Sequence, residues 1–306
     1  MSAEVTTPAE LTGRQSLYGG PFRGLGDRAF ALVASAFGLT VLVAIVWIGA
    51  SLCRESQPAI HKFGISIFRN LEWDVPNEKY GILPFIYGTL YSSAIALCIA
   101  VPISVGAALF LTEIAPKWLA TPLAFLIEML AAVPSIIFGL WGFLVLCPIL
   151  NTNTPNLGQF LADHFGANPL IGRDPPLVAN LLAAGVVLAI MIVPVITSIS
   201  REVIRAVPPS LREASLALGA TRWETISRVV LKSAKSGIVG AVILGLGRAI
   251  GETVAVIMVI GNMVQIPKSI LQPAYTMPGL LALQFKEAQN EPMQRAVLLE
   301  VALALF

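Results

Sequence analysis

The stretch SLREASLALGATRWETISRVV, residues 210–230, is polar and rich in helix-capping residues, although the chain on both sides of it is strongly apolar. Ser210 and Glu213 have the S-x-x-E spacing of a capping box, which marks the start of a helix. Two antiparallel helices can be joined by roughly 2–8 residues. The polar loop 201–235 is much longer than that, and this length suggests a role beyond connecting two helices.

The second half of this stretch predicts an elbow followed by another helix. Gly219 can adopt the left-handed conformation that ends a helix. Thr221 and Glu224 then repeat the capping-box spacing and predict a second helix start. Leu211 and Leu218 lie on the apolar side of the first predicted helix. A simple surface hairpin would also satisfy this pattern, but the repeated capping favours a rigid projection that a partner could push.

The composition indicates an integral membrane protein. Of the 306 residues, 56% are apolar and only 12% are charged, whereas soluble proteins have about 25% charged residues. The net charge of +2 is small and dispersed, so nothing indicates nucleic-acid binding. No GxxxxGK[ST] stretch for nucleotide hydrolysis occurs. The few cysteines and histidines predict neither a metal site nor a disulfide framework: Cys53, Cys98, Cys147, His61 and His164.

Apolar runs predict an all-α, polytopic membrane helix bundle with six transmembrane helices. A span needs about 20 apolar residues. Five runs qualify: 30–52, 84–111, 121–147, 178–200 and 237–262. A sixth begins near Ala296 and stops at Phe306, which predicts that the natural chain continues. Prolines inside the spans predict kinks at Pro102, Pro134 and Pro194.

The basic residues predict the orientation. Loop 201–235 holds seven of them against three acidic ones, which places it in the cytoplasm. Counting back through four spans places the segment 1–29 in the cytoplasm too, and it lacks the features of a cleaved signal peptide. We therefore expect an external loop within 30–83, external segments at 148–177 and 263–294, and a transmembrane domain over 84–306.

Three charged residues lie inside the five complete predicted spans. Arg248 is near the middle of 237–262, where a charge costs about 2.5–3.5 kcal/mol on insertion scales. Glu252 is one helical turn further on, where it could neutralise Arg248 or position it for an anion, and Glu128 could pair with Arg248 from another span. Gly247 and Gly251 have the GxxxG spacing that brings two helices close together. The sequence leaves open whether this group binds substrate or only stabilises a helix contact.

Residues 213–231, EASLALGATRWETISRVVL, resemble the EAA loop of ABC-importer permeases. The resemblance rests on Glu213, Ala214 and Gly219, which match the conserved pattern of that loop. In this family the loop docks into a groove of the ATPase subunit and couples it to the spans. The resemblance therefore assigns ATPase coupling to these three residues together with Thr221 and Glu224.

Further stretches resemble PstC-type permeases of phosphate importers. They are LPFIYGTLYSSAIALCIAVPISVGAALFLTEIAP at 83–116, AAVPSIIFGLWGFLVL at 131–146 and GLGRAIGETVAV at 245–256. Two positions depart from the EAA pattern, because Ser215 replaces its second alanine and Lys232 stands where a proline is usual. The lysine leaves open where the second helix of the loop ends.

The resemblance implies the type I ABC importer permease fold and an inner-membrane transport subunit without a cofactor. It also implies four partners, namely a second permease of the PstA type, a dimer of the PstB-type ATPase, an external PstS-type phosphate-binding protein, and phosphate itself. ATP hydrolysis would occur on the ATPase. The alternatives are a permease for another oxyanion such as molybdate or sulfate, a proton-coupled carrier that uses Glu128, Arg248 and Glu252 as a relay, and a membrane scaffold.

Overall fold

The structure, a computed structural model, describes residues 23–150 and 179–306. Most of the predicted cytoplasmic segment 1–29 and of the predicted external segment 148–177 therefore lies outside the described residues. The chain divides into two compact units, Met1–Arg54 and Glu55–Phe306. The described part of the first unit is helical throughout, and the second unit holds the bundle.

The described residues are almost entirely helical, which confirms the predicted all-α class. The only strands among them form a two-residue hairpin of β1 (Trp73–Asp74) and β2 (Lys79–Tyr80). The helices, in chain order, are α1 (Arg23–Phe63), α2 (Leu83–Leu109), α3 (Lys117–Ala131), α4 (Ser135–Trp141), α5 (Leu181–Arg205), α6 (Pro209–Ala217), α7 (Arg222–Glu224), α8 (Leu231–Gly251), α9 (Val254–Ile260), α10 (Met277–Gln284) and α11 (Pro292–Leu305).

Wider π-helical turns extend several of these helices, at Phe110–Ile114, Gly142–Leu146 and Thr225–Val230. Short 3-10 turns occur at Gly64–Phe68 and Glu287–Asn290. Among the described residues, four helices are long and apolar enough to cross a membrane: Gly26–Phe68, Leu83–Ile114, Leu181–Arg205 and Arg222–Gly251. A bent pair of helices would make a fifth span.

The predicted span 121–147 is not one straight helix. It divides into α3 and a second helix that starts at Ser135, and the two segments meet at 90°. Pro134 takes the N-cap position of α4 in an extended conformation, with ψ of 138°. Because its ring cannot follow a helical carbonyl without a clash, proline ends the first helix rather than bending it. The structure confirms the predicted change of helix direction at Pro134, but the helix is broken there rather than kinked.

The predicted span 237–262 also differs from the structure. It begins earlier, because one continuous helix runs from Arg222 to Gly251 and joins the second helix of loop 201–235 directly to the span. Lys232 therefore does not interrupt it. It also ends earlier, because Glu252 is extended with ψ of 127° and a new short helix, α9, starts at Val254.

Helix α5 is the centre of the bundle. It contributes fourteen buried residues, among them Leu188, Met191 and Ile192, and it packs against α2, α3, α8 and α9. The short helices α4 and α9 also pack on each other. A Cβ added at Gly139 of α4 would lie 2.9 Å from the Cα of Ala255 in α9. The broken spans thus place two half-length helices side by side against α5.

A second core lies around α10, α11 and the β-hairpin. Aromatic rings meet edge to face there, with centroids 5.3 Å apart for Trp73 and Tyr80 and 5.1 Å apart for Phe85 and Tyr275. Gly88 lets α2 approach this region closely, because an added Cβ would lie only 2.1 Å from the carbonyl oxygen of Tyr275. This core holds the loops beyond α9 against the start of α2.

Candidate functional site

Loop 201–235 folds into the helix, elbow and helix that its sequence predicts. Gly219 follows α6 in the left-handed region, with φ of +84°. Its N–H donates to the carbonyl of Leu216 at 3.0 Å, and the N–H of Ala220 donates to the carbonyl of Ser215 at 3.2 Å. These two bonds form a Schellman motif, which satisfies carbonyls at the end of a helix. The predicted glycine elbow is confirmed.

One of the two predicted capping boxes forms. The N–H of Glu224 donates to the Thr221 hydroxyl oxygen at 3.2 Å, and the Thr221 N–H donates to the Glu224 carboxylate at 2.9 Å. The prediction of a box at Ser210 and Glu213 is wrong. Pro208 is the N-cap of α6, no side chain caps it, and the next proline already lies in the helix. Because proline favours the first helical position, the helix starts before Ser210.

The apolar side of the loop faces outward. Leu218 is 90% exposed and Trp223 is 72% exposed, while Leu211, Ala214 and Leu216 are also exposed. The predicted apolar face therefore has no partner within the described part of the chain. Large apolar side chains grouped on an exposed surface are typical of a protein-binding site.

Arg212, which the sequence analysis did not single out, fastens α6 to the bundle. Its guanidinium donates to the carboxylate of Glu113 at 2.9 Å and to the carbonyl of Ile204 at 3.0 Å, and it also bonds the carbonyl of Val207. Both charged side chains are mostly buried, with 22% of Arg212 and 15% of Glu113 exposed. One side chain thus connects α6 to the end of α5 and to the turn after α2.

Ser215, the departure from the EAA pattern, has a local role in the structure. Its hydroxyl lies 3.0 Å from the hydroxyl of Thr225, within hydrogen-bonding distance. Alanine at this position could not make that bond. The contact ties α6 directly to the helix that follows the elbow and adds to the rigidity of the loop.

Arg248 and Glu252 do not form the predicted pair. Helix α8 ends at Gly251, so Glu252 is no longer one turn from Arg248 on the same face. The Glu252 carboxylate instead accepts a hydrogen bond from the Ala255 N–H at 3.3 Å and caps the start of α9. Arg248 is exposed, and among the described residues no carboxylate forms an ion pair with it.

The predicted pairing of Glu128 with Arg248 is also wrong. Glu128 accepts a hydrogen bond from Arg201 at 2.7 Å, which links α3 to α5. The Arg201 side chain is 11% exposed and also lies 3.3 Å from Glu202. The pairing partner was missed because Arg201 is 73 residues away in the chain and was counted only as a cytoplasmic loop charge.

The predicted packing glycines, Gly247 and Gly251, do not bring another helix of the described chain close to α8. An added Cβ would have no atom within 4 Å at either position. The close helix approaches occur instead at Gly245, where a Cβ would lie 2.7 Å from Ile196, and at Gly237, where it would lie 2.4 Å from Val203. The GxxxG spacing thus lies on the open face of α8, beside Arg248.

Comparison with known proteins identifies the group to which this chain is similar. A family described as "Binding-protein-dependent transport system inner membrane component" matches residues 100–285. The chain is 44% identical over 283 residues to the phosphate transport system permease protein PstC of Xylella fastidiosa strain Temecula1, which covers 92% of this chain and 86% of that protein. The protein of the same name from Haemophilus influenzae is 42% identical, with 92% and 88% covered.

The fold is similar to that of a solved importer. The chain matches the bacterial alginate ABC transporter, solved in complex with an alginate pentasaccharide-bound periplasmic protein, with a TM-score of 0.58 and 16% identity. The match covers 91% of each chain. At this identity the likeness supports the permease fold and carries no information about the solute.

Proposed function

The chain belongs to the family of binding-protein-dependent transport system inner membrane components, and we propose that it is the permease subunit of an ATP-driven phosphate importer. It is a multi-pass membrane protein and a transport subunit rather than an enzyme, with the type I importer permease fold. The solute is carried over from the PstC proteins of Xylella and Haemophilus, whose printed names include phosphate transport. Their similarity extends over most of the chain, which supports a shared solute.

The observation that carries the coupling role is the anchoring of loop 201–235. The loop is capped at its elbow, fastened by Arg212 to Glu113, and exposes Leu218 and Trp223. We propose that this exposed face, with Glu213 and Ala214, docks onto a separate PstB-type ATPase. Because the loop continues without a break into the helix Arg222–Gly251, a push on the loop would move that whole helix.

The proposed orientation follows from the charges. Loop 201–235 would lie in the cytoplasm, where the ATPase binds, and the N-terminus would lie on the same side. The opposite end of the bundle would then receive an external PstS-type binding protein. A second permease of the PstA type would complete the translocation path. The permease fold itself implies partners of these general kinds, an ATPase and a binding protein.

Arg248 is the residue we assign to phosphate. It lies on the exposed face of α8 between Gly247 and Gly251. Inside a membrane span, a cation costs about 2.5–3.5 kcal/mol unless an anion or water meets it. A planar guanidinium suits an oxyanion, because it can donate two parallel hydrogen bonds. Since Glu252 is turned toward α9, it does not compete with phosphate for Arg248. Its part in the path is to maintain the break that ends α8.

We do not assign Glu128 to solute binding, because its carboxylate is paired with Arg201. We propose that this pair links α3 and α5 near the path rather than binding the solute. An alternative for Arg248 is a purely structural role, since a basic residue in the last turn of a helix stabilises its dipole. The two roles differ in whether phosphate transport depends on the guanidinium.

The test is reconstitution of the permease pair with the ATPase and the binding protein in proteoliposomes. Phosphate should stimulate ATP hydrolysis and be taken up, and vanadate should stop both. Stimulation by molybdate or sulfate alone would assign the chain to another oxyanion. Uptake that follows a proton gradient and survives vanadate would identify a proton-coupled carrier instead.

A further inference from the structure

A groove on the bundle surface lies where the second half of loop 201–235 continues into α8. Its volume is about 650 Å³, and it opens to the exterior. Three basic residues line it: Arg228, Lys232 and Lys235. The remaining wall is largely apolar and includes Val105 of α2 together with Ile238 and Val239 of α8. The groove is therefore cationic on one side and apolar on the other.

The three cations are available to bind a ligand. They occupy successive turns of one helix, at positions 228, 232 and 235, and all three are exposed. Within the described part of the chain, no carboxylate forms an ion pair with any of them, and none lines the groove. Other basic residues of the same loop do have such partners, for example Arg201 with Glu128 and Arg212 with Glu113.

The groove lies at the boundary between the charged loop and the apolar part of α8. Lys235 is the last charge before the long apolar part of α8, and Ile238 and Val239 lie one turn further toward the membrane interior. In the orientation proposed above, the cations lie at the cytoplasmic surface, which carries anionic lipids. Each basic residue near such a surface contributes about 1 kcal/mol of attraction.

We propose that this groove binds an anionic phospholipid of the cytoplasmic leaflet. Its phosphodiester and headgroup contact Arg228, Lys232 and Lys235, and one acyl chain lies along Val105 and Val239. The apolar wall excludes free inorganic phosphate as the intended occupant, because a hydrated anion would leave that wall in water. The proposal goes beyond phosphate transport and takes only the orientation of loop 201–235 from it.

The experiment counts the lipids that the purified transporter retains. The complete complex, with its ATPase and second permease, is extracted in mild detergent and titrated with phosphatidylglycerol or phosphatidylcholine, and bound lipid is counted by native mass spectrometry. The triple variant Arg228→Gln, Lys232→Gln, Lys235→Gln should lose at least one phosphatidylglycerol, with affinity about 100-fold lower if the three contacts contribute about 1 kcal/mol each. The matched control is Lys117→Gln, an exposed cation at the start of α3 that lines no part of the groove. It should retain the lipid.

Several results would contradict lipid binding in this groove. Equal retention by the triple variant and the wild type would overturn it, as would equal binding of phosphatidylcholine. Displacement of phosphatidylglycerol by millimolar inorganic phosphate, but not by chloride at the same ionic strength, would identify a free-phosphate site and also overturn it. If the triple variant fails to assemble, Val239→Glu decides, because Val239 is 48% exposed and its replacement places a carboxylate in the groove. Retention of the lipid by assembled Val239→Glu would contradict the proposal.

Discussion

Arg212 of α6 and Glu113 of the turn after α2 lie 99 positions apart in the chain and form an ion pair of 2.9 Å. The same guanidinium bonds the carbonyl of Ile204, in the last turn of α5, and that of Val207, just after the helix. It therefore neutralises a mostly buried carboxylate and caps a helix end at once. This arrangement gives the coupling loop a fixed connection to two helices of the bundle.

Loss of this connection should uncouple ATP hydrolysis from transport. In Arg212→Met, Glu113 and the Val207 carbonyl lose the guanidinium, and the Ile204 carbonyl keeps the Val207 N–H at 3.3 Å. Hydrogen bonds to charged groups contribute about 1.5–3 kcal/mol each. We expect ATP hydrolysis to continue while phosphate uptake falls about tenfold or more, the change that 1.4 kcal/mol of lost coupling produces. Both activities are measured in proteoliposomes.

The control for this variant is Arg212→Lys, which keeps the positive charge but lacks the planar guanidinium group. It should restore part of the uptake, since an ammonium can meet Glu113 or the carbonyls but not all of them together. Normal coupling in Arg212→Met would show that the anchoring has no mechanical role.

Coupling should depend on the backbone conformation at Gly219 more than on side-chain contacts at the elbow. At φ of +84° a residue with a Cβ is strained by about 1–2 kcal/mol, and no neighbouring atom lies within 4 Å of the added Cβ. Gly219→Ala should therefore weaken coupling moderately through the backbone alone. Gly219→Pro should abolish it, because proline also removes the N–H that bonds Leu216. Both variants should remain membrane-inserted, which is checked by fractionation.

The comparison for the elbow is Gly106→Ala. Gly106 lies within helix α2, has no atom within 4 Å of an added Cβ and has no positive φ. It should transport normally. Wild-type uptake by Gly219→Pro would contradict a role of the elbow in docking the ATPase.

Substitution of Arg248 should stop transport without disturbing the fold. The side chain is exposed and has no ion pair within the described residues. Arg248→Gln should thus leave assembly and the melting temperature unchanged while phosphate uptake is lost. Arg248→Lys should retain weak uptake, because the charge remains but the two parallel bonds do not. Failure of Arg248→Gln to assemble would favour the structural role.

Glu128→Gln should lower the stability of the complex and leave its solute selectivity unchanged. It leaves Arg201, whose side chain is 11% exposed, with Glu202 at 3.3 Å as its remaining carboxylate. Because the Glu128 side chain is 48% exposed, the lost pair should cost about 1 kcal/mol or less. We expect a lower melting temperature of the purified complex, with phosphate selectivity unchanged. The exchanged pair Glu128→Arg, Arg201→Glu should recover part of the loss. A change in selectivity at an unchanged melting temperature would instead place Glu128 in the path.

Gly88→Ala should be the most damaging of the glycine substitutions outside the loop. Its Cβ would lie 2.1 Å from a backbone oxygen of Tyr275, so α2 and the segment before α10 would have to separate. Overpacking of this kind costs about 1–3 kcal/mol. The thermal stability of the complex should fall in Gly88→Ala and remain unchanged in Gly106→Ala on the same helix. Equal stability of the two variants would show that the contact is not tight.

The sequence was sufficient for features that depend on neighbouring residues. The membrane class follows from apolar runs, since about 20 apolar residues suffice to cross a bilayer. The elbow at Gly219 and the capping box of Thr221 with Glu224 follow from bonds between residues at most a few positions apart. The EAA loop and the GRAIGET stretch pointed to the family that the comparisons then identified.

Only the tertiary structure decided which distant residues meet. The partners of Arg212 and Glu128 lie 99 and 73 positions away, and no local pattern selects one carboxylate or guanidinium over another at that separation. Hydropathy likewise does not show that the helices break before Ser135 and after Gly251, although Pro134 marks the first position locally. The pairs, and the 90° angle between the two helix segments at Pro134, depend on how helices pack around α5, a property of the whole bundle rather than of any single segment.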